Sequence, residues 1–93
     1  MERTVLKGEE LEKNLASLKG WTRQGTEIRK TVEHADFVHA IGFVNSVALL
    51  AERMNHHPDI DIRWNKVTLV LSTHSAGGIT EFDIALAKEI DAL

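Results

Sequence analysis

The apolar residues of the chain follow two rhythms. Leu11, Leu15 and Leu18 recur at spacings of four and three, which marks one face of a short helix with Gly20 as its stop. The stretch "WTRQGTEIRKTVE" reads as two short strands around Gln24-Gly25, with Ile28, Lys30 and Val32 alternating against Arg29, Thr31 and Glu33. Three-and-four spacing then returns through Phe37, Ala40, Ile41, Val44, Val47, Ala48, Ala51 and Met54, with Asp36 as the cap. This predicts a helix of about five turns. Pro58 disfavours helical geometry at His57, so the helix is expected to end near Asn55 or His56.

The next segment, "IDIRWNKVTLVLSTH", alternates as a hairpin turning at Asn65-Lys66, with Ile60, Ile62 and Trp64 on one arm and Val67, Leu69 and Leu71 on the other. Trp64 reads there as a cross-strand packing residue. Gly77-Gly78 break the pattern. A last helix starts with Thr80 at the cap, Asp83 three residues on, and Ile79 placed to staple against Ile84. The order is helix, two strands, helix, two strands, helix. It predicts a two-layer α+β sandwich: a four-stranded antiparallel sheet with three helices on one face.

Composition narrows the classes. Ninety-three residues fit a single domain, 1–93, and a chain this short has a thin stability margin. The absence of cysteine excludes a disulfide framework and thiolate chemistry, and it fits a cytoplasmic location. A net charge of −3 without a Lys/Arg run argues against a nucleic-acid partner. The charged start argues against a secretory signal, and no apolar stretch reads as long enough for a membrane span. The segment "VTLVLST" has no charge or proline to blunt an exposed edge, so it lies inside the sheet or pairs with a second subunit. A homodimer or a homotetramer is the expected assembly, with the subunit number left open by the sequence.

The candidate chemistry gathers around "AERMNHHPDI". Glu52 and His56 are four apart and share a helix face if the last turn persists. His57 leaves in another direction ahead of Pro58. His74 follows the last strand, beside the Gly77-Gly78 break. A helix end and a strand end meeting at one rim would bring three histidines and a carboxylate into one cleft. Imidazole titrates at about 6.5, so two of them suit acid and base work on one substrate, with a carboxylate to orient one ring. Asp83 reads first as a capping-box residue. His34 and His39, five apart, take no role. No HExxH pair or cysteine supports a metal, and neighbouring His56 and His57 are poorly placed to share an ion. No metal or cofactor is expected.

These motifs together resemble the pterin-4a-carbinolamine dehydratase family. The likeness rests on Glu52, His56-His57-Pro58, Trp64-Asn65-Lys66-Val67, Thr73-His74 and Thr80 to Asp83, with "GWT" and "DFVHAIGFVNSVALLAE" upstream. It implies an enzyme that removes water from a 4a-hydroxytetrahydropterin left by aromatic amino-acid hydroxylases. It implies that His56 and His74 are the acid/base pair, that Glu52 fixes an imidazole or a ring N–H, and that His57 orients the pterin. Asn55, Pro58, Ser72, Thr73, Ser75 and Asp83 complete the expected substrate contacts. Asn55 and Ile60 depart from the family, which commonly has an aspartate and an aromatic there. The alternative implied by the family is a dimerisation partner acting as a transcriptional coactivator.

Overall fold

A computed structural model describes residues 1–93. The elements are α1 (Gly8–Ala16), β1 (Thr22–Gln24), β2 (Glu27–Glu33), α2 (Phe37–Met54), β3 (Asp59–Arg63), β4 (Lys66–Leu71) and α3 (Glu81–Asp91). They form one antiparallel sheet in the order β1-β2-β4-β3. The α+β order read from the sequence is the observed one.

Register explains which face is buried. Ile28 pairs with Leu71, Val32 with Val67, and Ile60 with Leu69 across the sheet. Paired residues share a face, so these form the inner surface, where Ile28, Val67, Leu69 and Leu71 are fully buried. Helices cover that surface through Leu11 of α1, Ala40, Val47 and Ala51 of α2, and Ile84, Leu86, Ala87 and Ile90 of α3. The other face, with Arg29, Thr31, Glu33 and Asp61, is polar and exposed. Strand β4, uncharged from Val67 to Leu71, sits inside the sheet, which resolves the two options left by its sequence. The edges are β1 and β3.

Three local expectations are corrected. Helix α1 ends at Ala16, capped by Ser17, so Leu18 packs on the core from outside it. The second hairpin turns at Trp64-Asn65, one residue early, with Arg63 opposite Lys66. The cause is a remote anchor: Asn65 donates from Nδ2 to the His34 carbonyl at 2.8 Å and accepts the His34 N–H on its own carbonyl at 2.8 Å. Trp64 is thereby held in the left-handed region at φ 52 and stands 68% exposed, so it is not a cross-strand packing residue. Third, the 18 residues of α2 are long and apolar enough, by length and composition, to cross a membrane. The helix rises only about 27 Å, however, and its inner face is committed to the sheet core.

The N-terminus of α2 follows the predicted cap. Asp36 accepts the His39 backbone N–H at 2.8 Å and pairs with its ring at 2.7 Å. These two contacts with His39, the backbone one first, hold the Asp36 carboxyl below its ordinary value. The depressed value means that this cap supports folding at neutral pH and is lost as pH falls through the acid range.

Candidate active site

Two chain reversals build the site. The first ends α2. Asn55 takes a left-handed conformation (φ 50, ψ 46), and the His56 N–H turns back to the Ala51 carbonyl at 3.0 Å. The helix therefore stops at Met54, two residues before His56, and Glu52 and His56 do not share its face. His57 turns back instead, and its Nε2 meets the Glu52 carboxylate at 2.9 Å on the surface. Asparagine tolerates the left-handed region where a β-branched residue does not. Asn55→Val is thus expected to cost about 1 kcal/mol in thermal unfolding, and Asn55→Gly little or nothing.

The second reversal follows β4. The Thr73 N–H bonds the Gly78 carbonyl at 2.9 Å, and the Ala76 and Gly77 N–H groups both bond the Thr73 carbonyl at 3.0 Å. This closes a small loop with Gly77 at φ 80, and His74 and Ser75 lie at its exposed tip. Ser72 anchors the approach by donating to the Thr26 carbonyl at 2.7 Å.

A buried network joins the two reversals. Asp83, in the first turn of α3, is wholly buried. One carboxylate oxygen accepts the Thr80 N–H at 2.9 Å and the Thr73 hydroxyl at 2.8 Å. Thr80 Oγ1 in turn accepts the Phe82 N–H at 3.2 Å, and its bond with the Asp83 backbone N–H completes the capping box. The second Asp83 oxygen lies 2.5 Å from His56 Nε2. A carboxylate there selects the tautomer with its proton on Nε2 and leaves a lone pair on Nδ1. The His56 ring, 6% exposed, also packs at a tilt against Phe82, with 5.6 Å between centroids.

The cleft above this network has a volume of about 300 Å³ and is lined by Arg3, Asn55, His56, His57, Ser72, Thr73, His74 and Ser75. Seven of the expected site residues are gathered here. Glu52 lies behind His57, Asp83 lies beneath His56, and Pro58 is half-buried beside the turn. A hollow of about 400 Å³ at the N-terminal segment, beside Glu10 and Glu81, contains no imidazole.

Sequence reasoning missed two features. Arg3 reaches the cleft from 52 residues away, and no motif signals it. The second oxygen of Asp83 was hidden by the capping motif, which accounts for the residue without it. A capping aspartate that faces a helix-ending histidine has spare acceptor capacity, and that was the signal that could have revealed it.

An open cleft of three imidazoles in an α+β domain, one ring backed by a buried carboxylate, is chemically suited to taking up and releasing protons. Similarity to known proteins gives the family. The model for "Pterin 4 alpha carbinolamine dehydratase" matches residues 4–93. A provisionally named pterin-4-alpha-carbinolamine dehydratase of Roseiflexus sp. (strain RS-1) is 58% identical over 90 residues, 97% of each chain. The crystal structure of a transcriptional coactivator/pterin dehydratase from Brucella melitensis superposes with a TM-score of 0.91 at 35% identity, covering 96% of this chain and 97% of that one. A pterin dehydratase-like protein described as a RuBisCO assembly factor in the alpha-carboxysome shares the fold, with a TM-score of 0.63 at 22% identity over 77% of this chain and 83% of that one. The chain belongs to the pterin 4 alpha carbinolamine dehydratase family.

Proposed function

We propose that the protein is a hydro-lyase that converts 4a-hydroxytetrahydropterin to quinonoid dihydropterin and water, so that the pterin of aromatic amino-acid hydroxylases can be reused. The observation that carries this reading is the convergence of His56, His57 and His74 in one cleft with Asp83 behind His56. Hydroxide leaves poorly unless it is protonated as the carbon–oxygen bond breaks, and a ring nitrogen must lose its proton. In our assignment, Nδ1 of His56 takes the ring proton, and Asp83 stabilises the imidazolium that forms. His74, exposed and flexible in its choice of nitrogen, protonates the departing hydroxyl. His57, oriented by Glu52, binds the pterin with Asn55 and the Ser72–Ser75 loop. The test is to add the purified protein to freshly generated 4a-hydroxytetrahydropterin and follow quinonoid dihydropterin by absorbance, with and without chelator. The expected result is acceleration that chelator does not reduce; an unaccelerated reaction would overturn the assignment.

The assembly belongs to the same proposal. All five residues of β3 are exposed, including Ile60 and Ile62 on the helix-facing side. Two copies pairing antiparallel about Ile62 would place Asp61 opposite Arg63, whereas pairing about Asp61 would oppose two carboxylates. Charge therefore favours a dimer centred on Ile62, and β3 takes the role that the sequence offered to β4. Phe37, Val38 and Leu49 on the outer side of α2 offer a second contact for a tetramer. Sedimentation should show an oligomer that Ile62→Lys reduces in subunit number; equal sedimentation of the two proteins would exclude this edge.

A coactivator reading is favoured by one observation, the apolar surface at β3 and α2, together with the likeness to the Brucella melitensis transcriptional coactivator/pterin dehydratase. The same surface is accounted for by self-association.

A further inference from the structure

We propose that Arg3 forms an anion subsite at the mouth of the cleft, and that it selects pterins whose ring substituent ends in a phosphate or carboxylate. This rests on the dehydratase reading and deepens it. Of the eight residues lining the cleft, Arg3 alone has a permanent charge, and none is acidic. That is unexpected in a chain with 14 acidic and 11 basic residues. The two carboxylates paired with the cleft's histidines do not line it: Asp83 is bonded to His56 and Glu52 to His57. A reduced pterin ring has no net charge near neutral pH, so the ring itself gives a guanidinium no counter-ion. An anionic tail on the ring does.

Arg3 is placed rather than loose. The Leu6 N–H bonds the Ile79 carbonyl at 2.8 Å, and Leu6 is buried. Val5 fills the space left by the missing Cβ of Gly78, where an added carbon would stand 3.0 Å from Val5 Cγ1. On the other side of Arg3, the Glu2 N–H reaches Glu81 Oε2 at 3.2 Å. Pinned on both sides, the side chain lays its guanidinium carbon 4.0 Å above the Phe82 ring centre and donates one Nη2–H to the Asn55 carbonyl at 2.8 Å. Stacking and one hydrogen bond fix the plane of the group. Its remaining N–H donors are not taken up by any carboxylate of the protein. A planar fork fixed at one edge and open at the other is suited to an oxyanion.

The test compares 4a-hydroxytetrahydropterins with an uncharged, a phosphomonoester and a carboxylate tail in the wild type, Arg3→Gln and Arg3→Lys. The wild-type kcat/KM should favour the anionic tails by about tenfold, a modest figure because the site is open to solvent. The preference should collapse toward unity in Arg3→Gln, mainly through KM, and persist in part in Arg3→Lys. It should also shrink as salt is raised. The same tails on the unreactive 7,8-dihydropterin ring, measured by titration calorimetry, decide the subsite independently of turnover. If no substrate is dehydrated but the phosphate-tailed dihydropterin binds more tightly through Arg3, the dehydratase reading fails and the subsite stands. Equal preference in wild type and Arg3→Gln, or no wild-type preference in either assay, overturns the subsite and leaves the dehydratase reading intact.

Discussion

His56→Ala and His74→Ala should each slow dehydration by about 10²–10⁴-fold in protein that remains folded. Both groups act on one transition state, so the double variant should lose less than the product of the single losses. His57→Ala should raise KM more than it lowers kcat, because its assigned work is binding. The control is His39→Ala, since that side chain is exposed at the far end of α2 with Asp36. His34 does not serve as a control: its ring lies against Phe43 at 4.6 Å, and its backbone holds the Asn65 turn. Near-normal turnover by folded His56→Ala and His74→Ala would eliminate the proposed chemistry.

The second large effect is expected at Asp83, and the two obvious replacements should differ. Asp83→Ala removes the acceptor for Thr80, Thr73 and His56 at once. Breaking so buried a set should cost about 3 kcal/mol in denaturant unfolding. Asp83→Asn is the more telling change. Its amide oxygen can still accept from Thr80 and Thr73, so the cap survives. Its amide nitrogen then faces His56 Nε2 as a donor, which drives the ring proton to Nδ1. That removes the lone pair assigned to the reaction, and kcat should fall about 10²-fold or more while the melting temperature moves little. A folded Asp83→Asn variant with a normal rate would show that the tautomer of His56 does not matter. The sequence alone assigned Asp83 chiefly to the cap, from which a small rate effect follows. The second carboxylate oxygen changes that expectation.

What could be read from the chain was governed by range. The long helix was legible because Ala40, Val47 and Ala51 face the sheet at a regular period. The capping box at Thr80 to Asp83 was legible because all its partners lie within three residues. Errors arose where a distant group decides a local outcome. Asn65 turns the hairpin early because it binds His34, 31 residues away. His56 and Asp83, 27 residues apart, meet only after the left-handed turn at Asn55 sends the imidazole inward. Proline correctly marked where α2 must stop. It did not indicate which histidine would go under the rim and which would fold back to Glu52. The resemblance pointed to the site residues, whereas their pairing needed three dimensions.

The Asp83 network also bears on how the cleft responds to heat. Asp83, Thr80, Thr73 and His56 belong to four structural pieces: the start of α3, its cap, the loop after β4 and the exit from α2. The polar floor beneath His56 therefore also ties the start of the last helix to the loop after β4 and to the exit from α2. A floor whose bonds span those pieces is expected to open with the α3 docking rather than as a separate local unit. The proposed proton transfer and the integrity of the fold are then expected to share one cooperative transition, so that activity and structure should be lost at the same temperature on warming.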